Sequence, residues 1–290
     1  MRRQEARRCG VKVLDLFSGI GGFSLGLERA GFETVAFCEP NPFCQAVLKH
    51  HWPTVPVYED VRELSADRLA NDGIAFDAIC GGFPCQDISV AGKGAGLAGA
   101  RSGLWWEFHR LIAETRPKWV IAENVSALRS RGLDEVLGSL AALGYDAEWH
   151  CIPASAVGAP HRRDRIWIVA YPQSAGLQAR GGDELGVNNQ PRRDGWQSQS
   201  ASGETDMADT HEPQLEGRLR RILQECAGKF PVGKSSSCGV AEFWRSEPDV
   251  GRVANGVSNR THRLKALGNA VVPQIPEIIG RIINDSTADR

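Results

Sequence analysis

Val11-Lys12-Val13-Leu14-Asp15-Leu16-Phe17-Ser18-Gly19-Ile20-Gly21-Gly22 reads as a buried apolar strand, Val11 to Phe17, running straight into a glycine-rich turn. Phe23 to Ala30 then carries apolar residues at helical spacing, with Gly31 as its stop. Strand, glycine turn and helix make a nucleotide-binding opening, because the turn brings backbone N–H groups and a helix N-terminus close to a ligand. The spacing is not that of a dinucleotide fingerprint. Ser24 stands where the third glycine belongs, which disfavours a nicotinamide oxidoreductase.

The alternation continues outward from this opening. Thr34 to Glu39 is a second strand ending in an acid about 20 residues past the turn, where a carboxylate either accepts two ribose hydroxyls or lies on the surface. Asn41 is placed to cap a helix running to His50. Val55 to Tyr58 is a short third strand followed by Asp60, which either accepts from an adenine amino group or closes an exposed turn. Phe76 to Cys80 is the fourth. It leads into Cys80-Gly81-Gly82-Phe83-Pro84-Cys85-Gln86-Asp87-Ile88-Ser89, where two glycines allow close backbone approach to a ligand and Pro84 stiffens the path to Cys85. A thiol at a strand-to-loop exit is a candidate nucleophile, and the alternative is a small core residue.

Gln86 to Gly103 lacks helical or strand periodicity and is rich in Gly, Ala and Ser, with Lys93 and Arg101 as charges. A loop this long inside a compact domain is read as a lid that closes on substrate. Leu104 to Thr115 is an amphipathic helix whose Trp105, Trp106 and Phe108 are assigned to the core. Trp119 to Ala122 is the fifth strand, ending in Glu123-Asn124-Val125; Leu133 to Leu143 is a helix stopped by Gly144. Ala147 to Ile152 and Arg165 to Ala170 are two further strands. Between them Pro160-His161-Arg162-Arg163-Asp164-Arg165 is either a solvated turn or a clamp for phosphate or a base edge.

At Pro172 the composition turns to Gln, Ser, Gly, Asn and charge, and local disorder is one reading of the stretch to about Asp209. Leu215 to Cys226 is one short amphipathic helix, with Arg218, Arg220 and Arg221 on its polar face. Apolar order returns at Leu264-Lys265-Ala266-Leu267-Gly268-Asn269-Ala270-Val271-Val272-Pro273, followed by a last helix over Gln274 to Ile283.

The bulk numbers fit one large or two modest globular domains: 290 residues, 42% hydrophobic, 24% charged. No apolar run reaches the roughly 20 residues of a membrane span. Arg2, Arg3, Arg7 and Arg8 precede Val11 without an apolar stretch, which reads as a basic tail rather than a leader. No two of the eight cysteines form a CxxC pair, so no zinc site is expected, and their scatter fits reduced thiols in a cytoplasm. A net charge of −1 excludes a wholly basic nucleic-acid binder but leaves room for one basic face.

Taken in order, the motifs resemble the DNA cytosine-5 methyltransferase family over nearly the whole chain. Asp15 to Gly22 is similar to the family's cofactor motif, Glu39 and Asp60 to its later acidic contacts, and Pro84-Cys85-Gln86 to its nucleophile motif. Glu123-Asn124-Val125 is similar to the acid motif and Gly268-Asn269-Ala270-Val271 to the terminal motif; Arg163-x-Arg165 resembles QxRxR, with His161 in place of Gln. The ending and the short chain look most like phage- or prophage-borne members.

The resemblance implies an α/β fold: the Rossmann-like class I S-adenosylmethionine-dependent methyltransferase fold, with a mostly parallel seven-stranded sheet and a small irregular target-recognition insert. It divides the chain into a basic tail (1–10), a catalytic domain (11–171 and 264–290) and a partly disordered recognition region (172–263). It implies S-adenosyl-L-methionine as cofactor, held by Phe17, Ser18, Gly19, Gly21, Gly22, Glu39, Pro40, Asp60, Val61, Pro84, Leu104, Asn269 and Ala270. Cys85 is the implied nucleophile and Glu123 the acid, with Arg165 and Arg163 holding the base O2 or nearby phosphate; Gln86, Ser89, Lys93, Arg101 and Arg163 face DNA. The implied partner is double-stranded DNA with a flipped cytosine, met by a cytoplasmic monomer, with or without a separate restriction endonuclease. Two rivals share the fold: a transfer RNA cytosine-5 methyltransferase, and a DNA-binding homologue that has lost turnover.

Overall fold

Seven strands form one sheet in the order β3-β2-β1-β4-β5-β7-β6. The structure, a computed structural model, describes residues 10–84, 103–173 and 260–288. The elements in chain order are β1 (Lys12–Leu16), α1 (Gly22–Arg29), β2 (Glu33–Cys38), α2 (Pro42–His51), β3 (Val57–Tyr58), α3 (Ala66–Asn71), β4 (Ala78–Gly82) and α4 (Leu104–Thr115). After them come β5 (Trp119–Val125), α5 (Leu133–Ala142), β6 (Tyr145–Pro153), β7 (Asp164–Pro172), α6 (Arg260–Asn269) and α7 (Gln274–Ala288). The β1–β2, β1–β4, β2–β3 and β4–β5 pairs are parallel, whereas β7 runs antiparallel to both β5 and β6. This is the mostly parallel sheet of a Rossmann-like methyltransferase fold.

Alternation along each strand feeds two cores. Leu14, Leu16, Ile79, Val120 and Ala122 join Trp105, Phe108, Leu111 and Ile112 of α4 and Val136 and Leu140 of α5 on one face. Val13, Ala78, Cys80, Trp119 and Ile121 face the other way, against Phe23 and Leu27 of α1 and Ile275, Ile279, Ile282 and Ile283 of α7. Among the described residues no helix is long and apolar enough to cross a membrane.

The helix ends follow local chemistry. Asn41 caps α2 by accepting from the Phe43 N–H at 2.9 Å, with Pro42 at the first helical position. Gly31 takes φ +94° just past α1, where it stops the helix.

Several boundaries and placements differ from the sequence reading. Glu123, Asn124 and Val125 lie inside β5 rather than beyond it, because they pair with Trp167, Ile166 and Arg165 of β7. Gly81 and Gly82 lie inside β4, and only Val57 and Tyr58 of the third strand pair. Trp106 is 41% exposed, not core: α4 buries Trp105, Phe108, Leu111 and Ile112, and Trp106 falls off that stripe. Helices α3 and α6 were not foreseen, since neither presents a full apolar stripe. The basic tail, the Gln86–Gly103 loop up to 102, and the polar stretch with its Leu215–Cys226 helix lie outside the described residues.

Candidate active site

The sheet order brings the separate motifs to one edge. β1, β2, β3, β4 and β5 are mutually parallel, so Phe17–Gly22, Glu39–Pro40, Asp60–Val61, Phe83–Pro84 and Val125 all emerge at their C-terminal ends. β7 is antiparallel and starts beside the end of β5, with Arg165 opposite Val125, so its first residues join the same edge. Strand order reverses between β1 and β4, and the crevice at such a point is where open α/β sheets bind ligands.

On the β1–β3 side the glycine turn is shaped by backbone geometry and by two carboxylates. Phe17 adopts φ 53°, the left-handed region that a non-glycine residue occupies only when its surroundings impose it. The Ser18 hydroxyl donates to the Asp15 carbonyl at 2.6 Å and accepts from the Cys38 N–H at 3.3 Å, stitching β1 to β2. Glu39 is buried; it accepts from the Gly19 N–H at 2.8 Å and from the Asn41 N–H at 2.9 Å. Burial pushes its carboxyl above the ordinary value, and those two N–H groups pull the other way.

Asp15 is fully buried beneath the turn. Its Oδ2 accepts from the Ser24 hydroxyl at 2.7 Å, while its Oδ1 has no hydrogen-bond partner among the described residues. Burial raises its pKa to about 7. The same burial, with Asp15 beside it, pushes the Cys80 thiol well up, so Cys80 stays protonated and inert. Gly22 must be glycine: a Cβ there would lie 2.7 Å from the Val271 carbonyl, and this contact seats the terminal motif on the turn.

Asp60 stands after β3 with its side chain 41% exposed, one oxygen closing a turn by accepting from the Arg62 N–H at 2.9 Å. The turn itself is pinned by a residue the sequence reading missed. Arg110 of α4 donates from Nη2 to the Val61 carbonyl at 3.0 Å and the Leu64 carbonyl at 2.8 Å, while Glu107 and Glu114 hold the rest of its guanidinium. Nothing in the sequence flags Arg110 as a turn anchor, because the two carbonyls it holds lie more than 40 residues away. Val61 is buried, and Leu104 is half-buried against the same core.

The β5–β7 side carries the acid. Glu123 projects from β5 on the face shared with Trp119 and Ile121, and the Arg165 Nε lies 3.0 Å from its Oε1. The two residues are diagonal neighbours, since Glu123 is opposite Trp167 and Val125 opposite Arg165. Gly82 is directly opposite Glu123 on β4, and a Cβ there would lie 3.0 Å from Oε2. The glycine pair admits close protein neighbours: a Cβ on Gly81 would lie 2.6 Å from the Leu16 carbonyl. Burial pushes the Glu123 carboxyl above its ordinary value, against the opposing charges of Arg165 and then Arg163.

Asn124 also belongs to the site. It is buried, its Nδ2 donates to the Phe83 carbonyl at 3.1 Å and its Oδ1 accepts from the Val125 N–H at 2.8 Å, so it anchors the root of the Phe83–Pro84 segment. Its place inside the quoted acid motif was the available signal. Arg163 reaches the Gly268 carbonyl at 2.6 Å; Asn269 lies exposed at the end of α6, next to Ala270. His161 is exposed. Cys85, Gln86, Ser89, Lys93 and Arg101 lie outside the described residues.

A parallel sheet closed by an antiparallel β7, a glycine turn after β1 and acids after β2 and β3 define a class I methyltransferase. The family described as C-5 cytosine-specific DNA methylase matches residues 11–235, and the chain belongs to that family. Among curated relatives, the Type II methyltransferase M2.BsuMI of Bacillus subtilis is 36% identical over 168 residues, covering 55% of this chain and 42% of that protein. M.HhaI of Haemophilus parahaemolyticus is 30% identical over 173 residues, covering 58% and 51%. The chain spans about half the length of the curated relatives it matches. Among solved structures, a DNA modification methyltransferase encoded within an E. coli prophage superimposes with a TM-score of 0.59 at 20% identity, covering 96% of this chain and 100% of that one. The Entamoeba histolytica methyltransferase EhMeth gives 0.60 at 12% identity, covering 96% and 99%. At these identities the two structures share the fold.

Proposed function

We propose that the chain is a DNA (cytosine-5-)-methyltransferase. The observation that carries this reading is the half-buried Glu123–Arg165 pair beside Gly82, at the root of the segment that leads to Cys85. An acid raised by burial and aligned by an arginine suits proton donation to a ring nitrogen.

The residues on the β1–β3 side fit S-adenosyl-L-methionine. The Asp15 Oδ1, without a hydrogen-bond partner among the described residues, and the buried Glu39 are carboxylates that a bound cation would hold ionised, and the fixed Glu39 keeps lone pairs for ribose hydroxyls. Phe17, Gly19, Gly21, Gly22, Pro40, Asp60, Val61, Pro84, Leu104, Asn269 and Ala270 complete the proposed cradle. When bound, the cofactor supplies an electrophilic methyl group.

In the proposed cycle the Cys85 thiolate adds to C6 of a flipped cytosine. Glu123 gives a proton to N3, so electron density collects at C5 instead of building as negative charge on the ring. Arg165 holds Glu123 and faces the ring O2. After the methyl group is gained, a base takes the C5 proton, the C5–H electron pair forms the C5–C6 double bond, the C6–S bond breaks to release the Cys85 thiolate, and N3 returns its proton to Glu123. Flipping costs a few kcal/mol of stacking, which contacts from the 86–103 stretch would offset. The substrate is duplex DNA, the 172–263 region reads the target, and the setting is a cytoplasmic restriction–modification or phage-protection role.

The test is bisulfite sequencing of DNA from a methylation-free bacterial host expressing the protein. Protected cytosines in one fixed context are expected. Cys85→Ala should abolish protection while S-adenosylhomocysteine still binds in calorimetry; retained protection would remove Cys85 as nucleophile. Complete conversion of the DNA by bisulfite, with methyl incorporation into transfer RNA, would overturn the choice of substrate.

A further inference from the structure

We propose that Arg163 is a positioning residue, capping the C-terminal end of α6 and so fixing Gly268–Val271 against the glycine turn. This rests on the cofactor reading above, and it assigns Arg163 differently from the base or phosphate contact that the motif resemblance implies.

Arg163 Nη1 donates to the Gly268 carbonyl at 2.6 Å across 105 residues of sequence. Gly268 lies in the last turn of α6, where carbonyls lack intrahelical partners and carry the negative end of the helix dipole. A guanidinium there satisfies an orphan acceptor and meets favourable charge.

Among the described residues, α6 has few other packing contacts. None of its residues belongs to either hydrophobic core, and Leu264 and Leu267 are 46% and 64% exposed. Its other contact of note is His262 stacked on Phe43 at 6.0 Å, near the opposite end. The segment after α6 reaches the turn directly, since the Val271 carbonyl is the atom that forbids a side chain at Gly22. Four residues thus connect the Arg163 contact to the cofactor turn.

The backbone of Arg163 fits a fixed role. It adopts φ 36°, left-handed for a non-glycine residue, in a loop closed by the Ala154 N–H donating to the Arg162 carbonyl at 2.6 Å. Strain of this kind persists where surrounding structure imposes it and the position matters. Arg163 also adds positive charge at Glu123, so the same side chain touches the terminal segment and acts on the catalytic acid.

The experiment titrates S-adenosylhomocysteine into the full chain and into Arg163→Ala, Arg163→Lys and Arg163→Gln. Backbone hydrogen exchange over 264–272 and over β5 is followed in each. Expected for Arg163→Ala are about tenfold weaker binding and about tenfold faster exchange over 264–272, with β5 unchanged. Lys, which can still reach one carbonyl, should recover most of both. In turnover, the KM for S-adenosylmethionine should rise more than kcat falls. Unchanged binding and exchange in a folded Arg163→Ala, with kcat alone reduced, would overturn the proposal and return Arg163 to the substrate. If Arg163→Ala does not fold, Arg163→Gln replaces it under the same criteria. If the unaltered chain binds no S-adenosylhomocysteine, the cofactor reading fails, and the exchange rates alone decide whether Arg163 holds α6.

Discussion

The two halves of the sheet edge treat buried carboxylates in opposite ways. On the β1–β3 side, Asp15 and Glu39 are buried with no arginine or lysine paired to them among the described residues, and there one Asp15 oxygen has no hydrogen-bond partner. On the β5–β7 side, the half-buried Glu123 is paired with Arg165, with Arg163 adding further positive charge. A buried charge needs compensation, and its source differs. The β5–β7 side carries its own cation, so its acid is held in place before any substrate arrives. The β1–β3 side has no cation of its own among the described residues, which suits the proposed cofactor, whose sulfonium and ammonium groups would supply it.

The largest expected effect breaks the β5–β7 half. Glu123→Gln keeps the size and removes the acid, so methyl transfer should fall by about 100-fold or more. S-adenosylhomocysteine affinity should stay within about twofold if the two halves are independent. A parallel loss of affinity would show that they are not.

The next effect isolates the uncompensated half. Because burial raises the Asp15 pKa to about 7, the fold favours its neutral form. That contribution is fully present below the ordinary pKa of 3.8 and is lost as pH rises through about 7. Asp15→Asn keeps an acceptor for Ser24 and cannot ionise. Between pH 5 and pH 8.5 the unfolding free energy from urea titrations should therefore fall further in the unaltered protein than in the variant, by roughly 1 to 3 kcal/mol. Equal falls would mean that Asp15 is compensated in solution.

The smallest effect concerns the rim. Asp60 is partly exposed and already engaged with Arg62, so Asp60→Ala should weaken S-adenosylmethionine binding only about three- to tenfold, and DNA binding less. Unchanged cofactor affinity would leave Asp60 as a turn residue alone.

These differences were only partly legible in the sequence. Glu39, Asp60 and Glu123 were found because each ends or follows an apolar run, and strand ends are where α/β sheets place chemistry. Their environments were not found. Position in the chain cannot say that Glu39 is held by the Gly19 N–H, or that Arg110 of α4 pins the turn carrying Asp60 and Val61. Trp106 shows the same limit in reverse: the apolar spacing of α4 was read correctly, but three neighbouring aromatics could not be sorted to one face without the sheet beneath them.

By itself the sequence determined the alternation of strand and helix, the glycine turn, the caps and the motif order. These depend on local periodicity and backbone sterics, which neighbouring residues encode. Tertiary structure alone decided which partner each charged group acquired. The β5–β7 register brought Arg165 to Glu123, the Gly82 pairing made room for the carboxylate, and the end of α6 returned 105 residues later to meet Arg163. Such contacts join chain segments that share no local signal, and long-range packing alone sets the distance on which a charge interaction depends.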